Sequence, residues 1–127
     1  MTGATSPTSV AGAAAEAVFV ALSDPTRRAV LDLLVEHGDG TASTLASQLP
    51  VSRPAVIKHL VVLDRAGLVE AQRRGRELRY WVRSEPLSAT AEWMTGVAAR
   101  WDQRLSALKR LAESEHAQDP PSSETRS

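Results

Sequence analysis

TLASQL (residues 44–49), PVSRPAVIKHLVVLDRAGLVEA (50–71) and QRRGRELRYWV (72–82) follow one another without a break, and their reading decides the fold. In the first piece Leu45 and Leu49 stand at helical spacing, and Pro50 stops the helix. Ser52 is placed to cap a second helix, with Pro54 in the first turn, where a missing N–H does no harm. Val56, Leu60 and Leu63 form the inward stripe of that helix, and Gly67 ends it. Leu68, Val69 and Ala71 open a strand, the chain turns at Gly75, and Leu78, Tyr80 and Val82 alternate on the way back. Two helices across a tight turn, then a ribbon tipped by Arg73, Arg74 and Arg76, have the shape that lays one helix in a DNA major groove with a wing beside it.

Upstream, Asp24-Pro25 is a helix restart, with Asp24 as cap and Pro25 at the first helical position. The helix it opens, PTRRAVLDLLVEH (25–37), turns Ala29, Val30, Leu33 and Leu34 inward and stops at Gly38. Residues 37–40 read as a loop, after which Thr41 caps the next helix. AAAEAVFVAL (13–22) is a first helix with Val18, Phe19 and Leu22 as its apolar stripe. Residues 1–12 carry little to bury and are expected to be a disordered arm. Downstream, Pro86 separates the ribbon from a long last helix over 87–112. Met94, Ala98, Trp101, Leu105, Leu108 and Ala112 recur there four and three apart, a coiled-coil-like seam. Residues 113–127 are expected to be a disordered tail, which leaves one domain at 13–112.

The 127 residues suffice for one small core. With no cysteine, disulfides, thiolate metal sites and cysteine nucleophiles are all excluded. No run approaches the roughly 18 apolar residues of a membrane span. No Lys or Arg precedes Arg27, so the start does not read as a secretory signal. A soluble cytoplasmic protein, on the nucleoid when bound to DNA, is expected. The formal net charge is zero, yet between Ser52 and Arg83 eight cations face three anions, a local excess of five. The balancing acids include Glu113, Glu115, Asp119 and Glu124 in the tail. Zero is the average of a basic segment and an acidic remainder.

The candidate reading face comprises Ser52, Arg53, Pro54, Ile57, Lys58, His59 and Val61. Arg53, at the helix N-terminus, suits a guanine edge or a phosphate. The alternative for this face is an ordinary solvated helix surface. His59 lies on the border between faces, where a structural hydrogen bond competes with a base contact. From the ribbon, Arg73, Arg74, Arg76 and Arg79 suit phosphates or a minor groove, against the plainer role of keeping a hairpin tip soluble. A dimer interface is expected from Val18, Phe19 and Leu22 of the first helix with Trp93, Met94, Val97, Trp101, Leu105 and Leu108 of the last. Gly96 permits close helix approach there, or room for a small apolar effector. The three histidines, His37, His59 and His116, have no metal-ligand spacing, so neither a metal site nor a cofactor is expected.

The stretches LSDPTRRAVLDLL (22–34), SRPAVIKHLVVLDRAGLV (52–69) and RRGRELRYWV (73–82) resemble the ArsR family of bacterial winged-helix repressors. The likeness runs over about residues 15–112 and is nearest the metal-independent, SdpR-like branch. Trp101 followed by Arg104, Leu105, Leu108, Lys109 and Arg110 matches that branch's late helix. The resemblance implies a mainly α fold with a small β-hairpin wing: a winged helix-turn-helix with N- and C-terminal dimerisation helices. It also implies a homodimer that represses by occupying a promoter. The sequence departs from the metal-sensing branches, because TASTLASQL (41–49) offers no thiolate and the last helix has no His before His116. It departs also at Ile57 and Val61, where relatives often carry Ser and a cation. Apolar side chains there suit thymine methyl groups, or else weaken phosphate binding.

Two functions follow. One is a homodimeric repressor on double-stranded DNA, each reading helix in one half-site of an inverted repeat, with autoregulation and a small-molecule effector both open. The other is a winged-helix protein-interaction module with weak or lost DNA binding. An enzyme is disfavoured, since the chain has no Gly-rich phosphate loop, no nucleophile–base constellation and no metal-ligand spacing.

Overall fold

The computed structural model describes residues 7–118. In chain order these form α1 (Pro7–Leu22), α2 (Pro25–His37), β1 (Gly40–Thr41), α3 (Ala42–Ser47), α4 (Arg53–Arg65), β2 (Val69–Arg74), β3 (Glu77–Val82) and α5 (Glu85–Gln118). The strands make one antiparallel sheet in the order β1-β3-β2. The architecture is mainly helical, with a helix-turn-helix formed by α3 and α4 and a wing formed by β2 and β3. The chain divides into two units, with the boundary between Trp93 and Met94.

Local chemistry sets most element ends. The Asp24 carboxylate accepts from the Thr26 and Arg27 amides at 2.7 and 3.2 Å, with Pro25 opening α2 behind it. Thr41 and Thr44 form a reciprocal capping box on α3, and Ser52 accepts from the Ala55 amide at 3.3 Å to start α4. Gly67 closes α4 with a left-handed φ of 75°. The Leu68 amide donates to the Leu63 carbonyl and the Gly67 amide to that of Asp64, both at 2.9 Å. This paired closure satisfies carbonyls that the helix end would otherwise leave open. Leu68 then accepts from the Arg83 amide at 2.8 Å, so the end of α4 is also the base of the wing.

The first unit packs around α4. Val56, Leu60 and Leu63 are buried on its inner face against Leu34 of α2, Leu45 of α3, Val18 of α1, and Leu68 and Val69 at the wing base. Each fully buried Leu of this kind contributes about 1.5–3 kcal/mol relative to exposure. The α1–α2 corner is held by arginines. Arg27 donates from Nε to the Ala21 carbonyl at 2.7 Å and from Nη2 to that of Val20 at 2.9 Å. Arg28 Nη1 reaches the Leu22 carbonyl at 2.6 Å. Two cations thus satisfy the last carbonyls of α1, where the helix dipole favours positive charge.

Several boundaries differ from those read in the sequence. Helix α1 begins at Pro7, because the Ala-rich stretch after it is strongly helix-forming and proline is tolerated in a first turn. Pro86 does not separate the ribbon from α5; it sits in the helix's first turn for the same reason, and the helix runs on to Gln118. The expected disorder of residues 1–6 and 119–127 lies outside the described residues. The sheet gains a third strand, β1, from the segment read as loop: Gly40 pairs with Tyr80 and Thr41 with Arg79.

At Gly67, an added Cβ would lie 3.4 Å from Pro86 Cγ, on a backbone that L-residues disfavour. Gly67→Ala is therefore expected to lower unfolding stability by about 1–2 kcal/mol, read as a reduced urea midpoint with an unchanged slope.

Candidate nucleic-acid interface

Where α3, the start of α4 and the wing come together they enclose a cleft of about 280 Å³, lined by residues including Ser43, Arg53, Ile57, Arg76, Leu78 and Tyr80. Arg53 stands in the first turn of α4 and is exposed. Its Nε donates to the Ser43 hydroxyl at 3.0 Å, tying the reading helix to the helix before it. Ile57, one turn further on, is half-buried, packing on the core while also lining the cleft. Val61, a turn beyond that, is 42% exposed. Helical spacing places Arg53, Ile57 and Val61 along one side of α4.

The wing has two distinct faces. Opposed residues in an antiparallel pair share a face. The pairs Arg73↔Leu78, Ala71↔Tyr80 and Val69↔Val82 therefore make one face, and Arg74↔Glu77, Gln72↔Arg79 and Glu70↔Trp81 the other. Leu78 and Tyr80 line the cleft, so Arg73 belongs to the side that faces Arg53 and Ile57. Arg74 belongs to the opposite side, where with Trp81, Gln72 and Asp39 it lines a separate hollow. The turn between the strands is Gly75-Arg76, with φ of 63° at Gly75.

The cations of the first unit fall into two groups. Arg27 is held by carbonyls, Asp24 and, at 3.4 Å, the Nδ1 of half-buried His59. Arg83 pairs with Glu70 and Glu85. Arg79 donates from Nε and Nη2 to the two oxygens of Asp39 at 3.1 and 3.0 Å, and from Nη1 to Glu77 at 2.9 Å. Hydrogen bonding from Arg79 holds the Asp39 carboxyl below its ordinary range, and Asp39, with Glu77, raises the guanidinium in return. By contrast, Arg53, Lys58, Arg65, Arg73, Arg74 and Arg76 are exposed, and among the described residues none forms an ion pair.

The residues read from the sequence are thus sorted by their surroundings. Arg53, Ile57 and Arg76 come together at the cleft, beside Glu77, while Arg73 shares the strand face of Leu78 and Tyr80 without lining it. Pro54, Lys58 and Val61 are exposed on α4. Ser52 is used as a helix cap, His59 as a partner of Arg27, and Arg79 as a strut between wing and α2–β1 loop. In the expected pairing set, Val18 is 2% exposed and belongs to the core of its own chain, because its side of α1 packs on α2 and α4. Leu22 is half-buried against the same core. Phe19 is 41% exposed, its ring centroid 6.1 Å from that of half-buried Trp93 and tilted by 60°. In the second unit Met94, Trp101, Leu105 and Leu108 are exposed and Val97 half-buried. The sequence pattern marks neither Ser43 nor Leu111 as a site residue. A helix-capping sequence rich in Ser and Thr hides Ser43, whereas Leu111, 61% exposed, lies beside the heptad seam and was legible as an apolar residue.

A helix-turn-helix between α3 and α4 flanked by a basic antiparallel wing defines the winged helix-turn-helix class. The comparisons agree. A helix-turn-helix domain family matches residues 22–72. The transcriptional repressor SdpR of Bacillus subtilis is 36% identical over 88 residues, covering 69% of this chain and 97% of that protein. The HTH-type transcriptional regulator Rv2034 of Mycobacterium tuberculosis is 39% identical over 95 residues, 75% of this chain and 85% of the relative. An ArsR-like transcriptional regulator from Rhodococcus sp. RHA1 superposes with a TM-score of 0.71 at 46% identity, covering 80% of this chain and 94% of that one. The chain belongs to the ArsR family of winged helix-turn-helix transcriptional regulators. No helix among the described residues is long and apolar enough to cross a membrane.

The Asp39–Arg79 contact has a pH signature. Because the folded carboxyl sits below its ordinary value of 3.8, its contribution is present above that pH and is lost as pH falls through the lowered value. Asp39→Asn is expected to reduce thermal stability at pH 7, with the gap from the unsubstituted protein closing on acidification below about pH 4. Arg79→Gln should return the Asp39 carboxyl titration, followed by NMR, towards 3.8.

Proposed function

We propose that this regulator is a homodimeric repressor that binds an inverted-repeat operator, its own promoter included, with α4 in the major groove and the wing against the flanking backbone. The observation that carries the reading is the sorting of charge. Arg27, Arg28, Arg79 and Arg83 serve the fold through carbonyls or acids, while Arg53, Lys58, Arg73 and Arg76 stand on the reading helix and wing and, like Arg65 and Arg74, have no anionic partner among the described residues. A polyanion supplies the missing partner. Ile57 and Val61 add an apolar strip suited to thymine methyl groups. Pairing is assigned to the exposed stripe Met94, Trp101, Leu105 and Leu108 on α5, which Leu111 extends. Phe19 adds a separate exposed apolar position on α1. Two copies present two reading helices, as an inverted repeat requires. Because residues 41–49 offer no thiolate and the last helix no His before His116, control of occupancy is assigned to an organic effector, to expression level or to self-repression alone.

Mobility shift on the gene's own upstream region tests the whole. Arg53→Ala and Lys58→Ala are each expected to weaken operator binding about tenfold. Arg73→Ala should cost more than Arg74→Ala, since only Arg73 shares the cleft face. The log–log dependence of affinity on salt should be steep, and a flat dependence removes DNA as the partner. Sedimentation should give twice the 13.6 kDa chain mass, falling to monomer in Leu105→Glu with loss of operator binding. A dimer that binds no DNA at low salt would instead favour a protein-interaction module, for which the exposed Val61 is the supporting feature.

A further inference from the structure

Arg53 differs from the other unpaired cations of the reading head in one respect: its guanidinium is already anchored. Nε donates to the Ser43 hydroxyl at 3.0 Å, and among the described residues Nη1 and Nη2 bond no acceptor. An arginine meets a guanine edge through two parallel hydrogen bonds to O6 and N7. With Nε occupied, the remaining pair of donors is the Nη1/Nη2 end, a fork held out of the long side chain's usual rotamer freedom. Ser43 lies in the first turn of α3 but does not cap it, since Thr41 and Thr44 form the capping box. Its hydroxyl is therefore dispensable to the helix. It is also exposed, so removing it opens no cavity. Ile57, an apolar neighbour one turn along α4, lines the same cleft, and so does Glu77, whose carboxylate is engaged by Arg79 at 2.9 Å.

We infer that Ser43 is a positioning residue for operator specificity: it orients Arg53 so that the free end of the guanidinium reads a guanine in each half-site. The inference rests on the DNA-binding reading above and adds which base is read, by what, and through which support. Helix α3 thereby contributes to sequence discrimination through the side chain of α4, without a base contact of its own. A phosphate clamp makes a different demand, because it needs charge and not a fixed fork, and Lys serves it as well as Arg.

The test is selection of preferred duplexes from a random library by the full chain, followed by affinities for the selected site and for the site carrying 7-deazaguanine, which lacks N7. The unsubstituted protein is expected to enrich one guanine per half-site and to lose about tenfold or more on its 7-deaza replacement. Arg53→Lys should keep the salt dependence and abolish that discrimination. Ser43→Ala should reduce it about threefold or more, Ser43→Thr should restore it, and Ser43→Ala should add nothing in an Arg53→Ala background. Equal weakening of all sequences by Ser43→Ala, or full discrimination retained by Arg53→Lys, overturns the assignment. Enrichment of a site in which no guanine depends on Arg53 overturns this inference alone. Enrichment of no sequence at all, with salt-independent binding, overturns the proposed function with it.

Discussion

Everything in the first unit depends on α4 being two-sided. Val56, Leu60 and Leu63 are almost wholly buried, which draws α1, α2, α3 and the wing base onto one face of a helix only 13 residues long. The opposite side is thereby barred from the core and left to Lys58 and Val61, while Arg53 is exposed because it stands at the helix's first position. A helix of this length has little stability alone, so its straightness and orientation come from the buried stripe. Rigidity on one face is what makes the other a reading surface. Ile57 sits on the border, half in the core and half in the cleft, so its position is set by packing while its methyl groups remain presentable.

Charge follows the same division. The overall neutrality of the chain hides two populations of cation. Arg27 and Arg28 satisfy the carbonyls that end α1, Arg79 ties the wing to Asp39, and Arg83 bridges Glu70 and Glu85. These are structural, and for Arg27, Arg79 and Arg83 acidic partners offset the charge. The remainder on α4 and the wing tip keep theirs. In the ribbon the pleat separates neighbours in sequence, so Arg73 and Arg74 lie on opposite faces although they are adjacent.

Much of this was legible in the residues because it is governed by short-range chemistry. Asp24, Thr41, Ser52 and Gly67 act within three residues of themselves, and all four do what their side chains or lack of one predict. The α4 stripe and the strand alternation were equally plain. What escaped depends on distance along the chain. β1 has two residues and no periodicity to detect, and it exists only because β3 passes beside it. Arg79 looked like its neighbours until Asp39, 40 residues away, claimed it. The same holds for Ser43, whose role is defined by a side chain ten residues on. Val18 was read as a pairing residue because the stripe of α1 does not say which of its apolar positions meet the domain's own core. Pro86 misleads for a simpler reason: proline marks a boundary, but the first turn of a helix lies inside it.

Thr41 belongs to two structures at once. Its backbone is the last rung of β1 against Arg79, and its side chain is the cap of α3. No connecting residue separates strand from helix, so this junction has no slack in length. An insertion here would shift either the pairing register or the cap by one position, and a one-residue slip in a strand reverses which side each residue faces. The hairpin at Gly75-Arg76 is open to solvent and packed against nothing at Gly75, so its two-residue length is fixed by the β2–β3 register alone. Length at the step from β1 into α3 is thus fixed twice over, by strand pairing and by helix capping.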